Sequence, residues 1–407
     1  MKQLRLLLVV REPYPTFRPD VSALFGKYLP RVGVLSDLVS ERDLASVGSI
    51  PQWGGGAVLL CDADGGPLRR QWRKFFHAVR VLAAATCADY DAIQVRDLAL
   101  TAVVALLVAR VRGIPFFFWM SFPMCEAQIA RARMLTMKAG SRFWFPFLQG
   151  ILGRWALKSV VLRGADHVFV QSDRMRSEVV AAGVPVERVT AVPMGVDIEE
   201  ILSMPSVPRE CGDRDPMMIV HLGVLEASRQ SELLLDVLFL VRQKYPAAQL
   251  RCVGGAENPA YQAVFEEKVA ALGLVGAVSV TGWVSQAHAW SLVRQAAVGV
   301  SLIPDSPIYV VASPTKLVEC LALGVPMVVT EHPDQRQVIE ESRAGLCVAM
   351  SQDALANAIG RILSDKNMAN EMRKCGPDYV AGHRSYTKIG GNVAGVYQKV
   401  VLGCQRA

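Results

Sequence analysis

The segment 313–326, which reads SPTKLVECLALGVP, combines residue types that can hold a phosphate and a sugar. Apolar, strand-like runs flank it, which predicts the order strand, loop, helix, turn and strand. We expect Ser313 to cap the helix and Pro314 to take its first position. A helix start offers unpaired backbone N–H groups and the positive end of the helix dipole, which suit an anion. Lys316 adds a cation in this first turn, and Glu319 stands about one turn further along.

Two glycines and an arginine follow apolar runs earlier in the same half of the chain. Gly223 and Gly254 stand where glycine permits close approach of the backbone to a ligand. Arg229, shortly after Gly223, can supply a second cation. The alternatives are a tight turn at Gly254 and a solvated surface arginine at Arg229. Glycine-rich fingerprints of the GxGxxG or Walker type are absent, which argues against a dehydrogenase or an NTPase.

The segment 313–326 is similar to the donor-binding helix of retaining glycosyltransferases of the GT-B fold, family 4 type. Three further stretches support this resemblance in the same order along the chain. The stretch 165–172 (ADHVFVQS) resembles the strand and serine of the family, and 192–197 (VPMGVD) resembles its P-x-G-V-D stretch. The stretch 278–284 (VSVTGWV) resembles the strand and loop near the nucleotide base. The resemblance therefore extends over most of the chain.

The resemblance implies an α/β fold with two Rossmann-like parallel-sheet domains that face each other across a cleft. It implies a nucleotide-sugar donor, UDP- or GDP-linked, that is bound without a metal. Negative charge then grows on the leaving diphosphate, and fixed cations and backbone donors must stabilise it. The implied catalytic residues are Arg229, Lys316, Glu319 and Ser121. The implied donor-binding residues are Gly223, Arg229, Gly254, Gly282, Trp283, Ser313, Pro314, Thr315, Lys316 and Glu319.

Three positions of the second half depart from the family pattern. Val311 stands where many members carry the first of two glutamates, of which Glu319 matches the second. A branch with the pattern S-P-x-K-x-x-E also lacks that first glutamate, which indicates variation within the family. Val224 replaces the usual arginine after the first glycine of the second domain. Arg229 replaces the lysine that is expected five positions later, and it keeps the positive charge.

The first half of the chain is expected to bind the acceptor. Members of the family often carry a histidine after a strand here, and Ser121 stands in the corresponding place. Its hydroxyl can bond the transferred sugar but is a poor base, which favours a front-face retaining mechanism in which the leaving phosphate takes the acceptor proton. Arg96 and Asp97 follow another predicted strand and are assigned to acceptor binding. A helix N-cap is the alternative for Asp97.

Length and composition predict two domains of ordinary size with ample apolar residues for two cores. The predicted boundaries are 1–200 for the acceptor domain, 201–216 for a linker, 217–383 for the donor domain and 384–407 for a helix that returns to the first domain. Nine cysteines without CxxC pairs predict free thiols in a reducing compartment. No D-x-D lies in a plausible acidic loop, and the one at 62–64 is interpreted as a turn, so no metal site is predicted.

The net charge of +7 is concentrated in one segment. Residues 127–165 contain seven basic and no acidic residues, together with several aromatic ones. This combination is typical of an interfacial helix on an anionic bilayer. A helix packed on the first domain with a solvated basic edge is the alternative, and nucleic acid is not expected as a partner because no binding module is recognised. The predicted membrane residues are Arg142, Trp144, Phe147, Arg154, Trp155 and Lys158.

These features together predict a retaining hexosyltransferase peripheral to the cytoplasmic face of the plasma membrane. Its expected acceptor is a glycan on a polyprenyl diphosphate lipid, in the assembly of a bacterial surface polysaccharide. Two alternatives stay open. One is a nucleotide-sugar epimerase of the same architecture, and the other is a catalytically silent paralogue that binds a nucleotide.

Overall fold

The chain forms two compact units. The computed structural model describes residues 3–16, 18–43, 52–62, 65–134, 141–204 and 215–404. The first unit contains Met1–Pro193 and Tyr386–Ala407, and the second contains Met194–Ser385. Each unit has its own parallel sheet with helices between the strands, which confirms the predicted α/β class.

Seven parallel strands form the sheet of the first unit, in the order β3-β2-β1-β4-β5-β6-β7. Strands covered on both faces are near-continuous apolar runs, as in the buried sequence FFFWM of β5. The strands are β1 (Leu4–Val9), β2 (Val34–Glu41), β3 (Val58–Cys61), β4 (Ala92–Arg96), β5 (Phe116–Met120), β6 (His167–Val170) and β7 (Val189–Ala191).

The helices of the first unit connect successive strands. A wide helical segment, Asp20–Tyr28, continues into α1 (Leu29–Arg31), and another, Leu157–Val161, joins α5 to α6. Helix α2 contacts α3, and α3 contacts α5. The bounds are α2 (Pro67–Ala84), α3 (Ala99–Arg112), α4 (Met124–Met134), α5 (Ser141–Ala156), α6 (Leu162–Gly164) and α7 (Asp173–Ala181).

Six parallel strands form the sheet of the second unit, in the order β10-β9-β8-β11-β12-β13. They are β8 (Met218–Leu222), β9 (Gln249–Val253), β10 (Val278–Val280), β11 (Val298–Ser301), β12 (Met327–Thr330) and β13 (Gly345–Val348). The helices are α8 (Ile198–Ser203), α9 (Leu233–Lys244), α10 (Pro259–Ala271), α11 (Gln286–Arg294), α12 (Thr315–Ala322), α13 (Pro333–Ser342), α14 (Gln352–Ser364) and α15 (Lys366–Tyr379).

The last helix, α16 (Tyr386–Cys404), belongs to the first unit. Its buried residues Tyr386, Ile389 and Tyr397 share one apolar core with strands β1 and β5. The hydroxyl of Tyr397 bonds the buried side chain of Gln94 on β4. The end of the chain therefore completes the cover on one face of the first sheet.

Two predicted details differ from the structure. Residues 198–203 form α8, which Asp197 caps by accepting a hydrogen bond from the backbone of Glu200, so the predicted linker 201–216 begins inside a helix. Most of that linker, residues 205–214, lies outside the described residues. Strands β2, β7 and β13 were not predicted. Strand β2 carries a buried aspartate, Asp37, whose partners Arg5 and Tyr90 come from other elements.

Candidate functional site

The ammonium group of Lys316 lies against the glycine that follows β8. Gly223 has a φ of +129°, and a Cβ atom placed on it would overlap the end of the Lys316 side chain. Gly254, after the neighbouring strand β9, has a φ of +142°, and a Cβ atom there would overlap the backbone of Gly223. Both positions therefore require glycine, and they bring the lysine to the carboxyl edge of the sheet, where ligands of such folds bind.

Lys316 lacks a close counter-ion among the described residues. Burial, assisted by the positive charge of Arg229, lowers the pKa of Lys316 to about 8, although Glu226 and Glu319 oppose the shift. An anion placed beside this ammonium group would favour its charged form and offset the cost of burying that charge. The lysine is therefore suited to bind a negatively charged ligand.

Glu319 is held by the side chains of α11. Its Oε1 atom accepts hydrogen bonds from Nε2 of Gln286 and from Nε1 of Trp290, each at 3.3 Å. Trp290 is fully buried, so this contact fixes the orientation of the carboxylate. Burial raises the pKa of Glu319, against the opposing effect of these hydrogen bonds and of Lys316. The arrangement presents an oriented carboxyl group one helical turn from the lysine.

Arg229 ends a short helical turn, Ala227–Arg229, after β8. Its guanidinium forms an ion pair with Glu226 and lies over the ring of Tyr309, with 5.4 Å between the guanidinium carbon and the ring centroid. The hydroxyl of Tyr309 lies 2.9 Å from Oγ of Ser228 in the same turn. These contacts hold Arg229 in place on two sides. Its positive charge also contributes to the lowered pKa of Lys316.

Ser313 does not cap α12, so that prediction was wrong. The helix begins at Thr315, and Pro314 is the N-cap residue, with a φ of −78° and a ψ of 111°. The hydroxyl of Ser313 instead donates a hydrogen bond to Oδ2 of Asp334 at 3.0 Å. No side chain caps the start of α12, so its first N–H groups have no side-chain acceptor and are suited to an anion.

A buried ion pair explains the position of Ser313. Arg384 donates to Asp334 across 2.9 Å, and both side chains are almost fully inaccessible to water. Oγ of Ser313 also accepts hydrogen bonds from Arg384, at 3.3 Å, and from the backbone of Met194, at 3.1 Å. Because a buried pair needs further hydrogen bonds, it recruits the hydroxyl that would otherwise cap the helix.

Trp283 is highly exposed beside the glycine-rich edge of the sheet. Its side chain is 77% exposed and follows Gly282, which has a φ of +69°. The indole nitrogen lies so near Gly255 that a Cβ atom on this glycine would stand 2.8 Å from it. A flat, exposed indole in this place can stack on a nucleobase.

Arg96 is fully inaccessible to water, so its predicted contact with an acceptor was wrong. Its guanidinium pairs with Glu12 at 2.6 Å, with Asp20 at 2.7 Å and with Asp97 at 3.5 Å. Three carboxylates converge on this one cation, which therefore organises the carboxyl ends of β1 and β4. The role of Arg96 is to orient these carboxylates.

Asp97 and Ser121, both assigned to the acceptor, contact each other. Oδ1 of Asp97 accepts a hydrogen bond from the backbone of Ser121 at 2.8 Å, and Oδ2 accepts one from the Ser121 hydroxyl. Asp97 has a φ of +57°, a conformation that aspartate adopts more readily than most residues and that is common at functional sites. Burial raises the pKa of Asp97. The N-cap alternative was wrong, since Leu98 is the N-cap residue of α3 and no side chain caps that helix.

The predicted membrane residues lie on α5 or directly after it. Trp144, Arg154, Trp155 and Lys158 are exposed, whereas Phe147 is partly buried. The side chain of Arg142 lies outside the described residues, as do residues 63–64 of the D-x-D sequence. Among the described residues, no group of three or more histidine, cysteine or acidic side chains is arranged to hold a metal ion.

Several residues of this site were not predicted from the sequence. Gln286 and Trp290 follow the glycine loop after β10, and Tyr309 lies shortly before α12. Their closeness in the sequence to predicted site segments was the only signal that could have identified them. No local sequence pattern indicates the pair of Asp334 and Arg384, because the two residues are far apart in the sequence.

Comparison with known proteins gives the same architecture. The structure is similar to that of sucrose-phosphate synthase from Thermosynechococcus elongatus, with a TM-score of 0.72, 17% identity and coverage of 98% of this chain and 100% of the other. Anabaena Alr3699/HepE in complex with UDP is similar at a TM-score of 0.70 and 16% identity, with the same coverage. The apo form of the lipopolysaccharide outer core galactosyltransferase WaaB is similar at 0.61 and 15%, with coverage of 97% and 100%.

Two family models match consecutive parts of the sequence. The model described as glycosyl transferase 4-like domain matches residues 27–195, and the model described as glycosyl transferases group 1 matches residues 216–365. Among curated proteins, no relative matches the sequence. The two models together cover most of both units, and the solved structures share the fold over nearly the whole chain. The chain therefore belongs to the group 1 glycosyltransferases of the GT-B fold.

Proposed function

We propose that the protein transfers a hexose-type unit from a nucleotide sugar, UDP- or GDP-linked, to a glycan hydroxyl with retention of configuration. The observation that carries this proposal is the position of Lys316. Its ammonium group is short of counter-charge, lies against Gly223 and stands at the uncapped start of α12. A diphosphate supplies the missing negative charge and accepts hydrogen bonds from the free N–H groups.

In this proposal, Lys316 and Arg229 stabilise the charge that develops on the leaving diphosphate, so that no metal ion is required. Arg229 exchanges part of its pairing with Glu226 for the phosphate. Glu319, oriented by Gln286 and Trp290, accepts hydrogen bonds from hydroxyl groups of the donor. UDP is the first nucleotide to test, because it is present in the similar structure of Alr3699/HepE.

The acceptor side of the proposal involves Asp97 and Ser121. The hydroxyl of Ser121 bonds the transferred sugar, and Asp97 orients that hydroxyl through the hydrogen bond between them. A serine is a poor base at neutral pH, so the leaving phosphate itself takes the proton of the acceptor hydroxyl. This assignment corresponds to a front-face retaining mechanism.

We further propose that the acceptor is a glycan on a polyprenyl diphosphate, reached from the cytoplasmic face of the plasma membrane in surface polysaccharide assembly. Helix α5 supports docking there. Its small residues Gly150 and Gly153 pack closely against α4, whereas an apolar stripe on the opposite face stays exposed. That stripe consists of Trp144, Leu148, Leu152 and Trp155. None of the described helices is long and apolar enough to cross a bilayer.

Thermal shift with UDP and GDP tests the donor site. One of the two should raise the melting temperature, and Lys316→Ala should abolish the rise, whereas the exposed α15 lysine changed by Lys366→Ala should leave it intact. No response to either nucleotide would contradict the proposed site. Turnover then separates the alternatives, since a transferase releases free UDP or GDP, an epimerase returns an isomerised nucleotide sugar and a silent paralogue does neither.

Vesicle binding tests the docking proposal separately. Sedimentation with vesicles that contain phosphatidylglycerol should be salt-sensitive. Each basic group near an anionic surface contributes about 1 kcal/mol, so Arg154→Gln with Lys158→Gln should weaken binding on the order of tenfold or more. Unchanged binding of this double variant would contradict the proposed role of α5.

A further inference from the structure

Helix α2 carries an exposed apolar stripe that the donor and acceptor sites do not use. Leu68, Trp72 and Phe76 are spaced four residues apart and are 54%, 57% and 61% exposed. The rings of Trp72 and Phe76 stack with 5.6 Å between their centroids, and Phe75 lies 6.1 Å from Trp72. An exposed aromatic cluster of this size is uncommon on a protein that has no partner for it.

The opposite face of α2 is firmly attached to the first unit. Ala78 and Leu82 lie on this face of α2 and are buried. Arg70 and Lys74 both pair at 2.7 Å with Glu41 at the end of β2. These contacts fix the rotation of the helix about its axis. The aromatic stripe therefore cannot turn inward without breaking two ion pairs and exposing Leu82.

The charged residues of α2 itself are all positive. Residues 65–88 contain no acidic residue, and α2 itself carries five basic ones. Arg69 and Arg80 are exposed beside the aromatic side chains. Apolar and aromatic groups with a basic rim match the interface of an anionic bilayer, in which acyl chains lie below phosphate groups. This charge complementarity selects an anionic bilayer as the occupant of the stripe.

The neighbouring helices also expose large apolar side chains. Helix α3, which contacts both α2 and α5, exposes Leu100, Leu107 and Val111. Of the nineteen exposed large hydrophobic side chains among the described residues, eleven lie on α2, α3 and α5. We call the exposed sides of these helices the three-helix face. It lies entirely within the first unit.

We propose that α2 is a second membrane anchor, in which Trp72 and Phe76 enter an anionic bilayer interface while Arg69 and Arg80 contact lipid phosphates. The inference rests on the proposed membrane docking through α5 and extends it to a two-point attachment. Helices α2 and α5 lie on either side of α3, so simultaneous contact fixes the tilt of the first unit relative to the bilayer. Two linked contacts also bind more tightly than either one alone.

The experiment measures sedimentation of the full chain with vesicles of phosphatidylglycerol and phosphatidylcholine in equal parts. Trp72→Ser with Phe76→Ser should weaken binding roughly tenfold. Arg69→Gln with Arg80→Gln should weaken it to a similar extent at low salt and less at high salt. The matched control is Phe239→Ser, which removes an exposed phenylalanine from α9 in the second unit and should leave binding unchanged.

A second measurement does not depend on variant affinity. Vesicles with brominated acyl chains should quench tryptophan fluorescence of the wild type, and Trp72→Phe should lose part of that quenching while binding stays close to wild type. Quenching that is the same in both proteins would show that Trp72 stays outside the bilayer and would overturn the proposal.

The outcomes separate this inference from the proposed function. Binding lost in the α5 variant but retained in both α2 variants would overturn the second anchor and leave the proposed docking through α5 intact. A wild type that does not bind anionic vesicles at all would overturn both. A dimer that becomes a monomer in Trp72→Ser with Phe76→Ser, with unchanged vesicle binding, would assign the stripe to a second copy of the chain and also overturn the proposal.

Discussion

Lys316 occupies the space that any side chain on Gly223 would need. The two residues come from different elements, the glycine from the end of β8 and the lysine from the first turn of α12. Their contact places the ammonium group of Lys316 at the carboxyl edge of the sheet. The absence of a side chain at position 223 therefore determines where the positive charge of Lys316 lies, and we assign this charge to the binding of the diphosphate.

Gly223→Ala should abolish the melting-temperature rise caused by the nucleotide, because the new Cβ atom displaces the lysine. The matched control is Gly276→Ala, which also has a positive φ, +83°, but whose Cβ atom would meet open space. Each variant carries a backbone strain of about 1–3 kcal/mol, so both should unfold at a lower temperature than the wild type. An equal nucleotide response in the two variants would refute the link between Gly223 and Lys316.

Nucleotide affinity should fall as the pH rises above about 8, because the pKa of Lys316 is lowered to about 8 in the empty site. A bound diphosphate favours the charged amine, so binding above this pH takes up a proton. Lys316→Arg should lose this dependence, since a guanidinium stays charged. Calorimetry in buffers of different ionisation enthalpy measures the proton uptake, and a flat affinity profile in the wild type would contradict the assignment.

The free energy of unfolding should increase with pH because of Lys316, over the range in which nucleotide affinity falls. The folded state holds the pKa of Lys316 below its ordinary value of 10.5, so between about 8 and 10.5 the unfolded chain binds more protons. The contribution of this lysine to the free energy of unfolding therefore increases with pH in that window. Urea denaturation of the wild type and of Lys316→Met across the window gives the difference. The free energy of unfolding of the wild type minus that of Lys316→Met should therefore rise across the window, and a value that falls or stays constant would contradict the lowered pKa.

Asp97→Asn should stabilise the protein at neutral pH by about 1 kcal/mol. The pKa of Asp97 is raised by burial, so its charged form opposes folding once the pH exceeds that value. Asparagine keeps the backbone conformation and can still bond Ser121. Asp20→Asn is the control, because Asp20 pairs with Arg96 at 2.7 Å and its loss should cost roughly 3 kcal/mol. Urea denaturation distinguishes the two, and equal effects would disprove the assignment of charges in this cluster.

Trp283→Ala should weaken nucleotide binding on the order of tenfold, since stacking of a base on an aromatic side chain contributes about 1–3 kcal/mol. UDP should also quench part of the tryptophan fluorescence in the wild type but not in the variant. Trp155→Ala removes another exposed indole, from α5, and serves as the control. Unchanged affinity in Trp283→Ala would place the base elsewhere.

Several strands were predictable from the sequence because they consist mainly of apolar residues. The buried runs of β1, β5 and β12 are of this kind. Strand β2 was missed because its sequence, VLSDLVSE, contains four polar residues that are nonetheless buried. Glu41 is accommodated by Arg70 and Lys74, which come from α2. Partners so distant in the sequence leave no local pattern.

Prediction of the site succeeded where residue type and spacing are local and failed where they are not. Lys316 and Glu319 share one face of α12, and their spacing alone brings them together. Ser313 was misassigned because Arg384, far along the chain, takes part in its hydrogen bonding. The stripe on α2 was also missed, since apolar residues four apart predict a buried helix face equally well, and only the exposure of Trp72 separates the two cases.

The return of α16 to the first unit has a consequence for synthesis on the ribosome. The second unit, Met194–Ser385, is one uninterrupted stretch and can fold as soon as it has emerged. The first unit must wait, because Tyr386 and Tyr397 belong to its apolar core and follow the whole of the second unit in the sequence. The nascent protein therefore exposes an uncovered sheet to chaperones and proteases until α16 has been synthesised.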